Sequence, residues 1–155
     1  MLSADAIGLL NHELIHLLIT TIVAAFIWWR FRNWKLIVIV FLVGIFIDLD
    51  HWFDYFAYFG FNINLSNFFN GESYIHANNK VFVPLHGWDL LIFYWLISYL
   101  LEKRLKIKGL SWAVVLAYVG HLLWDQISVS PQPLGYFFFY RLVNNFDLGA
   151  FNGIK

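Results

Sequence analysis

The sequence contains no cysteine, so disulfides and thiolate metal ligands are excluded and the redox compartment stays open. Charge is scarce: 13% of the 155 residues are Asp, Glu, Lys or Arg, against about 25% in a soluble domain. Ten basic and ten acidic residues give a formal net charge of zero, with no basic footprint, so no nucleic-acid partner is expected. No internal repeat or low-complexity run appears. The first apolar run has no basic region ahead of it and continues to Trp29, so no cleavable signal peptide is expected.

What the chain has instead is apolar and aromatic, at 61% and 21% of residues. That composition predicts an all-α polytopic membrane protein, in a chain too short for more than one domain. Four segments, at about 7–29, 36–59, 85–101 and 110–129, reach the length of about 17–25 residues that a spanning helix needs, the third at the short end. Helices are expected because irregular backbone cannot face lipid and so few strands cannot close a barrel. Arg30, Arg32 and Lys35 lie between the first two segments, and Lys103, Arg104, Lys106 and Lys108 between the last two. The positive-inside rule makes those loops cytoplasmic and puts both termini and the loop 60–84 outside. The aromatics of that loop are expected on the membrane surface. Tyr136 to Arg141 in the tail are expected as an interfacial aromatic anchor. The lipid bilayer is the first expected partner.

Against this background the stretch 44–54 stands out, with Asp48, Asp50, His51 and Asp54 in an otherwise greasy run. Ionisable groups in hydrocarbon are costly and mark a functional site by default. Three further sets occur at helical spacing: His12, Glu13 and His16; His86 and Asp89; His121 and Asp125. With the orientation above, all four sets fall in the outer half of the bundle. Imidazoles and carboxylates on facing helices are how a bundle builds a metal site. Nitrogen and oxygen donors suit zinc, with manganese or iron as alternatives. The candidates outnumber the four ligands of one tetrahedral zinc, which leaves room for one or two ions.

Two motifs compete. His12-Glu13-x-x-His16 has the metalloprotease pattern, with two histidine ligands and Glu13 as general base. It is similar to that of the site-2 intramembrane proteases, but no later helix supplies their Leu-Asp-Gly ligand motif. The second reading uses the whole chain. Asp48-Leu49-Asp50-His51, Pro84-Leu85-His86 and Gly120-His121-x-x-x-Asp125, followed by a Pro/Gly exit and an aromatic/arginine tail, resemble the membrane-bound metal-dependent hydrolases. These are small inner-membrane proteins, distantly similar to zinc-dependent phospholipase C and to the zinc-dependent single-strand nucleases.

The resemblance implies a metal-dependent hydrolase of phosphoester or lipid-headgroup substrates in a bacterial inner membrane. It implies ligands at His16, Asp48, Asp50, His51, His86, His121 and Asp125, with His12 matching branches that have His-x-x-x-His. Glu13 or Asp89 then serves as proton acceptor or orients a ligand. Ile47 stands where the family commonly has proline, and His86 stands alone where the family has two histidines. Outside the enzyme class, the same donors suit a non-enzymatic metal-binding or transport protein, although the inner half of the bundle offers no polar path.

Overall fold

A helix is the form in which an apolar run satisfies its own N–H and C=O groups without water. The computed structural model, which describes residues 4–69, 71–130 and 132–153, is accordingly helical through most of its length. Among the described residues there is no strand, only an isolated antiparallel bridge between Lys80 and Asp147. The all-α expectation holds. In chain order the helices are α1 (Ala4–Phe31), α2 (Trp34–Phe46), α3 (His51–Phe59), α4 (Leu65–Phe68), α5 (Gly71–Asn78), α6 (Leu91–Leu105), α7 (Leu110–Ser128), α8 (Phe138–Val143) and α9 (Leu148–Asn152). Single 3-10 turns precede α3 (Ile47–Asp50) and α6 (Trp88–Leu90).

Among the described residues two helical runs, Asn11–Phe31 and Trp34–Phe59, are long and apolar enough to cross a membrane. Only 22% and 28% of their apolar windows are buried within the protein, whereas the core helix of a soluble domain is mostly buried. Asn33 separates the two runs and caps α2, its side chain accepting the Lys35 amide at 3.1 Å. Helices α6 and α7 occupy the other two expected positions. The third starts later than the sequence pattern suggested, because the Leu85 amide is taken by Asp50 Oδ2 at 2.6 Å and the His86 amide by the Val83 carbonyl.

The chain divides into two compact units. The first comprises Met1–Ile47 and Leu90–Trp124. Its core is aliphatic: Ala24, Ile27, Leu36, Val40, Leu110, Ala113 and Ala117. Helices α1 and α2 meet at Gly44, where a Cβ would lie 2.4 Å from Thr20 Oγ1, so a larger residue forces the helices apart. Between α6 and α7, the Glu102 carboxylate accepts the amides of Gly109 (3.0 Å) and Ser111 (2.9 Å) and the Ser111 hydroxyl.

The second unit comprises Asp48–Asp89 and Asp125–Lys155. Here α3 and α5 pack through Tyr55 and Tyr74, both buried, with ring centroids 5.6 Å apart. The Tyr55 hydroxyl donates to the Asn62 carbonyl and accepts the Asn64 amide, pinning the start of the 60–84 segment. That segment is therefore not a surface loop throughout: it forms α4 and α5 and sends Tyr74 inward. In the tail, the residues of the expected aromatic anchor divide between surface and interior. Phe139 is exposed, but Tyr136 and Arg141 are buried, the first against Phe151 and the second on backbone carbonyls.

Candidate metal centre

In the second unit the polar residues converge on His86, which is 1% exposed. It sits in the non-helical stretch before the turn Trp88–Leu90, outside both candidate spans. Its Nδ1 lies 3.0 Å from Asp50 Oδ2, and its Nε2 lies 3.2 Å from Asp48 Oδ1 and 3.5 Å from Asp125 Oδ2. The 3-10 turn makes this possible, because Asp48 and Asp50 both lie in it, immediately before α3. His51, one turn on from Asp48, places Nε2 3.9 Å from the same Oδ1. One ligand atom from each of Asp48, His51 and His86 lies within 4.8 Å of the other two. Such groups can hold a metal ion.

The electrostatics define what is required there. Three carboxylates surround one buried imidazole, and buried charge is tolerated only when it is compensated. Burial alone would push the His86 imidazole down. The Asp50 charge, hydrogen bonds to Asp48 and Asp50, and the Asp125 charge together outweigh it and hold the pKa up at about 10. A carboxyl oxygen accepts but does not donate when ionised, so the two carboxylates at Nε2 need a positive group between them and the ring. That group is either a proton or a cation. Tyr136 lies beside the same carboxylates, its ring centroid 6.4 Å from that of His86. Burial and then the Asp125 charge push its phenol well above the ordinary value.

The first unit carries a group of imidazoles. His16 is buried and stacks on His121 with centroids 3.9 Å apart, and His12 Nε2 lies 2.9 Å from His16 Nε2. His121 is also buried, its Nδ1 lying 3.1 Å from the Gly44 carbonyl. A carbonyl only accepts, so His121 carries its proton on Nδ1 and presents Nε2 as the basic nitrogen. The indole of Trp124 only donates, and it donates to His12 Nδ1 at 3.1 Å. Neutral His12 therefore carries its proton on Nε2 and donates it to His16.

The remaining sequence candidates are placed differently. Asp89 accepts the amides of Phe138 (2.9 Å) and Phe139 (2.8 Å), so it caps α8. Asp54 accepts the amides of Phe82 (2.6 Å) and Val83 (3.1 Å). Glu13 is exposed on α1. Tyr136 and Arg141 were missed by the sequence reading. Their only signal was a tyrosine and an arginine inside an aromatic tail, which reads equally as a membrane anchor. Compared with protein-family models, with curated proteins and with solved structures, the chain matches none.

Proposed function

We propose that this protein is a metal-dependent membrane hydrolase acting on phosphoester or lipid-headgroup substrates, with zinc as the first candidate metal. The observation that carries the reading is His86 held by Asp50 at one ring nitrogen and aimed at Asp48 and Asp125 with the other. This is the carboxylate–histidine arrangement that orients a metal ligand and raises its basicity. The donor set fits a doubly charged ion: oxygen and nitrogen atoms only, with more negative than positive charge around them.

In this reading Asp48, His51, His86 and Asp125 hold the ion, and Asp50 fixes the His86 ring. A bound divalent ion supplies Lewis acidity and lowers the pKa of its water to about 7. Tyr136 closes one side of the site and excludes bulk water. His16 and His121 are assigned to a second ion in the first unit; binding it would require the His12–His16 hydrogen bond to give way, since that bond uses the lone pair of His16 Nε2. Asp89 and Asp54 are assigned here to the backbone amides that they accept. The substrate class rests on the family resemblance set out above, as does placement in a bacterial inner membrane. The four-span arrangement with both termini outside rests on segment lengths and loop charges.

Elemental analysis of purified, metal-replete protein tests the centre. Wild type should carry one or two divalent ions and hydrolyse phosphoester or phospholipid substrates. Asp48→Ala and His86→Ala should lose an ion and the activity together. A metal-free wild type would overturn the proposal. An ion held without any phosphoester turnover would leave a metal-binding or transport protein. The metalloprotease alternative needs Glu13 as base, so a Glu13→Gln variant with undiminished activity removes it.

A further inference from the structure

The segment 82–86 presents His86 in a backbone conformation that its own sequence resists. Val83 has φ of +27°, on the positive side where a β-branched residue is an outlier. Pro84 follows it and restricts it further. Strain of this kind persists only where the surroundings over-determine the backbone. Here the surroundings are a carboxyl group and a guanidinium, both buried, Asp54 and Arg141. Asp54 accepts the amides of Phe82 and Val83. Arg141 Nη2 donates to the Val83 carbonyl at 2.9 Å and to the His86 carbonyl. The strained residue is thus held at its N–H by a carboxylate and at its C=O by a guanidinium.

Arg141 is an unusual choice for a purely structural contact. Its Nε and Nη1 are buried without a hydrogen-bond partner, a cost that an apolar residue would avoid. What its charge contributes in return is a grip on the two carbonyls that flank the Pro84–Leu85 step.

We propose that Arg141 is a positioning residue for His86. Acting through the Val83 and His86 carbonyls, it fixes the loop that sets the imidazole between Asp50 and the Asp48/Asp125 carboxylates. The inference rests on the metal-site reading above, because His86 is positioned for an ion. It also assigns Val83 its role as the strained link, held by Asp54 on one side and Arg141 on the other.

The test uses the full chain in detergent or nanodiscs with Co²⁺ as the probe, reading affinity and the visible absorption spectrum. Arg141→Met should keep its helical circular dichroism, lose Co²⁺ affinity by about 10–100-fold, and alter the spectrum. Arg141→Lys, which retains the positive charge on a single donor nitrogen, should recover part of both. Val83→Gly relieves the positive φ while leaving both backbone grips in place, so it should bind Co²⁺ like wild type. It also provides a background in which Arg141→Met can fold if the single variant does not. Glu102→Gln, in the other unit, should leave the spectrum unmoved. Wild-type affinity and spectrum in Arg141→Met, or in the pair with Val83→Gly, overturn the proposal. If wild type takes up no Co²⁺, the metal reading fails separately. The clamp is then read from the His86 imidazole resonance, and an unchanged resonance in Arg141→Met overturns it.

Discussion

The two units solve the same backbone problem in opposite ways. In the first, long helices satisfy their own amides and carbonyls, and an aliphatic core of Ile27, Leu36 and Val40 holds them together. In the second, helices are short and the segments between them irregular, so amides and carbonyls are satisfied by carboxyl and guanidinium side chains. Asp50, Asp54 and Asp89 together accept the amides of Phe82, Val83, Leu85, Phe138 and Phe139, and Arg141 covers two carbonyls. The lesson concerns where charge is affordable. A carboxylate that replaces water for two buried amides is compensated locally, and a site built from such groups is rigid before any ligand arrives.

The largest expected effect follows from removing one of these holders. Asp54→Ala leaves two buried amides without an acceptor and frees the strained Val83, for an expected loss of about 3–5 kcal/mol. Asp54→Asn, which keeps one acceptor oxygen, should lose less. Denaturant or thermal unfolding in detergent measures both, and a loss below that of an ordinary surface substitution would break the contrast between the units. In the first unit the comparable change is apolar. Leu36→Ala should cost about 2–4 kcal/mol through a cavity in the aliphatic core, with metal content unchanged. Loss of the ion assigned to Asp48, His51, His86 and Asp125 from this variant would show that the two regions are not energetically separate.

Much of the first unit was legible in the sequence, because length and hydropathy speak directly for helices that satisfy themselves. The candidate ligands were legible too, since His86, Asp48 and Asp125 stand out in an apolar chain. The division of labour among carboxylates was not. Asp54 at helical spacing from Asp50 left its role open between a metal and its surroundings, whereas its partners are amides about 28 residues further along the chain. Asp89 beside His86 suggested a proton acceptor, and it caps a helix some 49 residues away. A carboxylate that binds backbone leaves no trace in the partner's sequence, because any residue but proline supplies the same N–H. Tyr136 and Arg141 were hidden for a related reason: in an aromatic tail, burial cannot be told from an interfacial position by composition alone.

Metal removal should separate the units next. An ion at a hundred times its dissociation constant stabilises the folded state by about 2.7 kcal/mol, so chelation should lower the unfolding temperature. Without the ion, His86 takes up a proton. Its folded pKa of about 10 lies above the unfolded value of 6.5. The stability it contributes is then complete below about pH 6.5 and is lost as pH rises through 10. Ion-free protein should therefore weaken progressively on the alkaline side. His86→Gln should flatten that slope, and an alkaline slope that survives this substitution would show that another group titrates there.

The smallest effect tests the acid side, in the first unit. Glu102 sits in the last turns of α6, where a negative charge opposes the helix dipole and Lys103 and Arg104 are better placed. Its carboxylate is held instead by the first turn of α7, through the amides of Gly109 and Ser111 and the Ser111 hydroxyl. Partial burial works to raise its pKa, but those three donors outweigh it and hold the carboxyl below the ordinary value. A depressed carboxyl contributes stability above the unfolded value of 4.5, and that contribution disappears as pH falls through the folded one. Glu102→Gln should cost about 1 kcal/mol at neutral pH, as for the loss of a helix cap. The difference from wild type should shrink toward acid, leaving Co²⁺ binding untouched. Unfolding temperatures of the two proteins between pH 3 and 7 provide the measurement. A constant gap across that range would mean that Glu102 acts through packing of its stem and not through its charge.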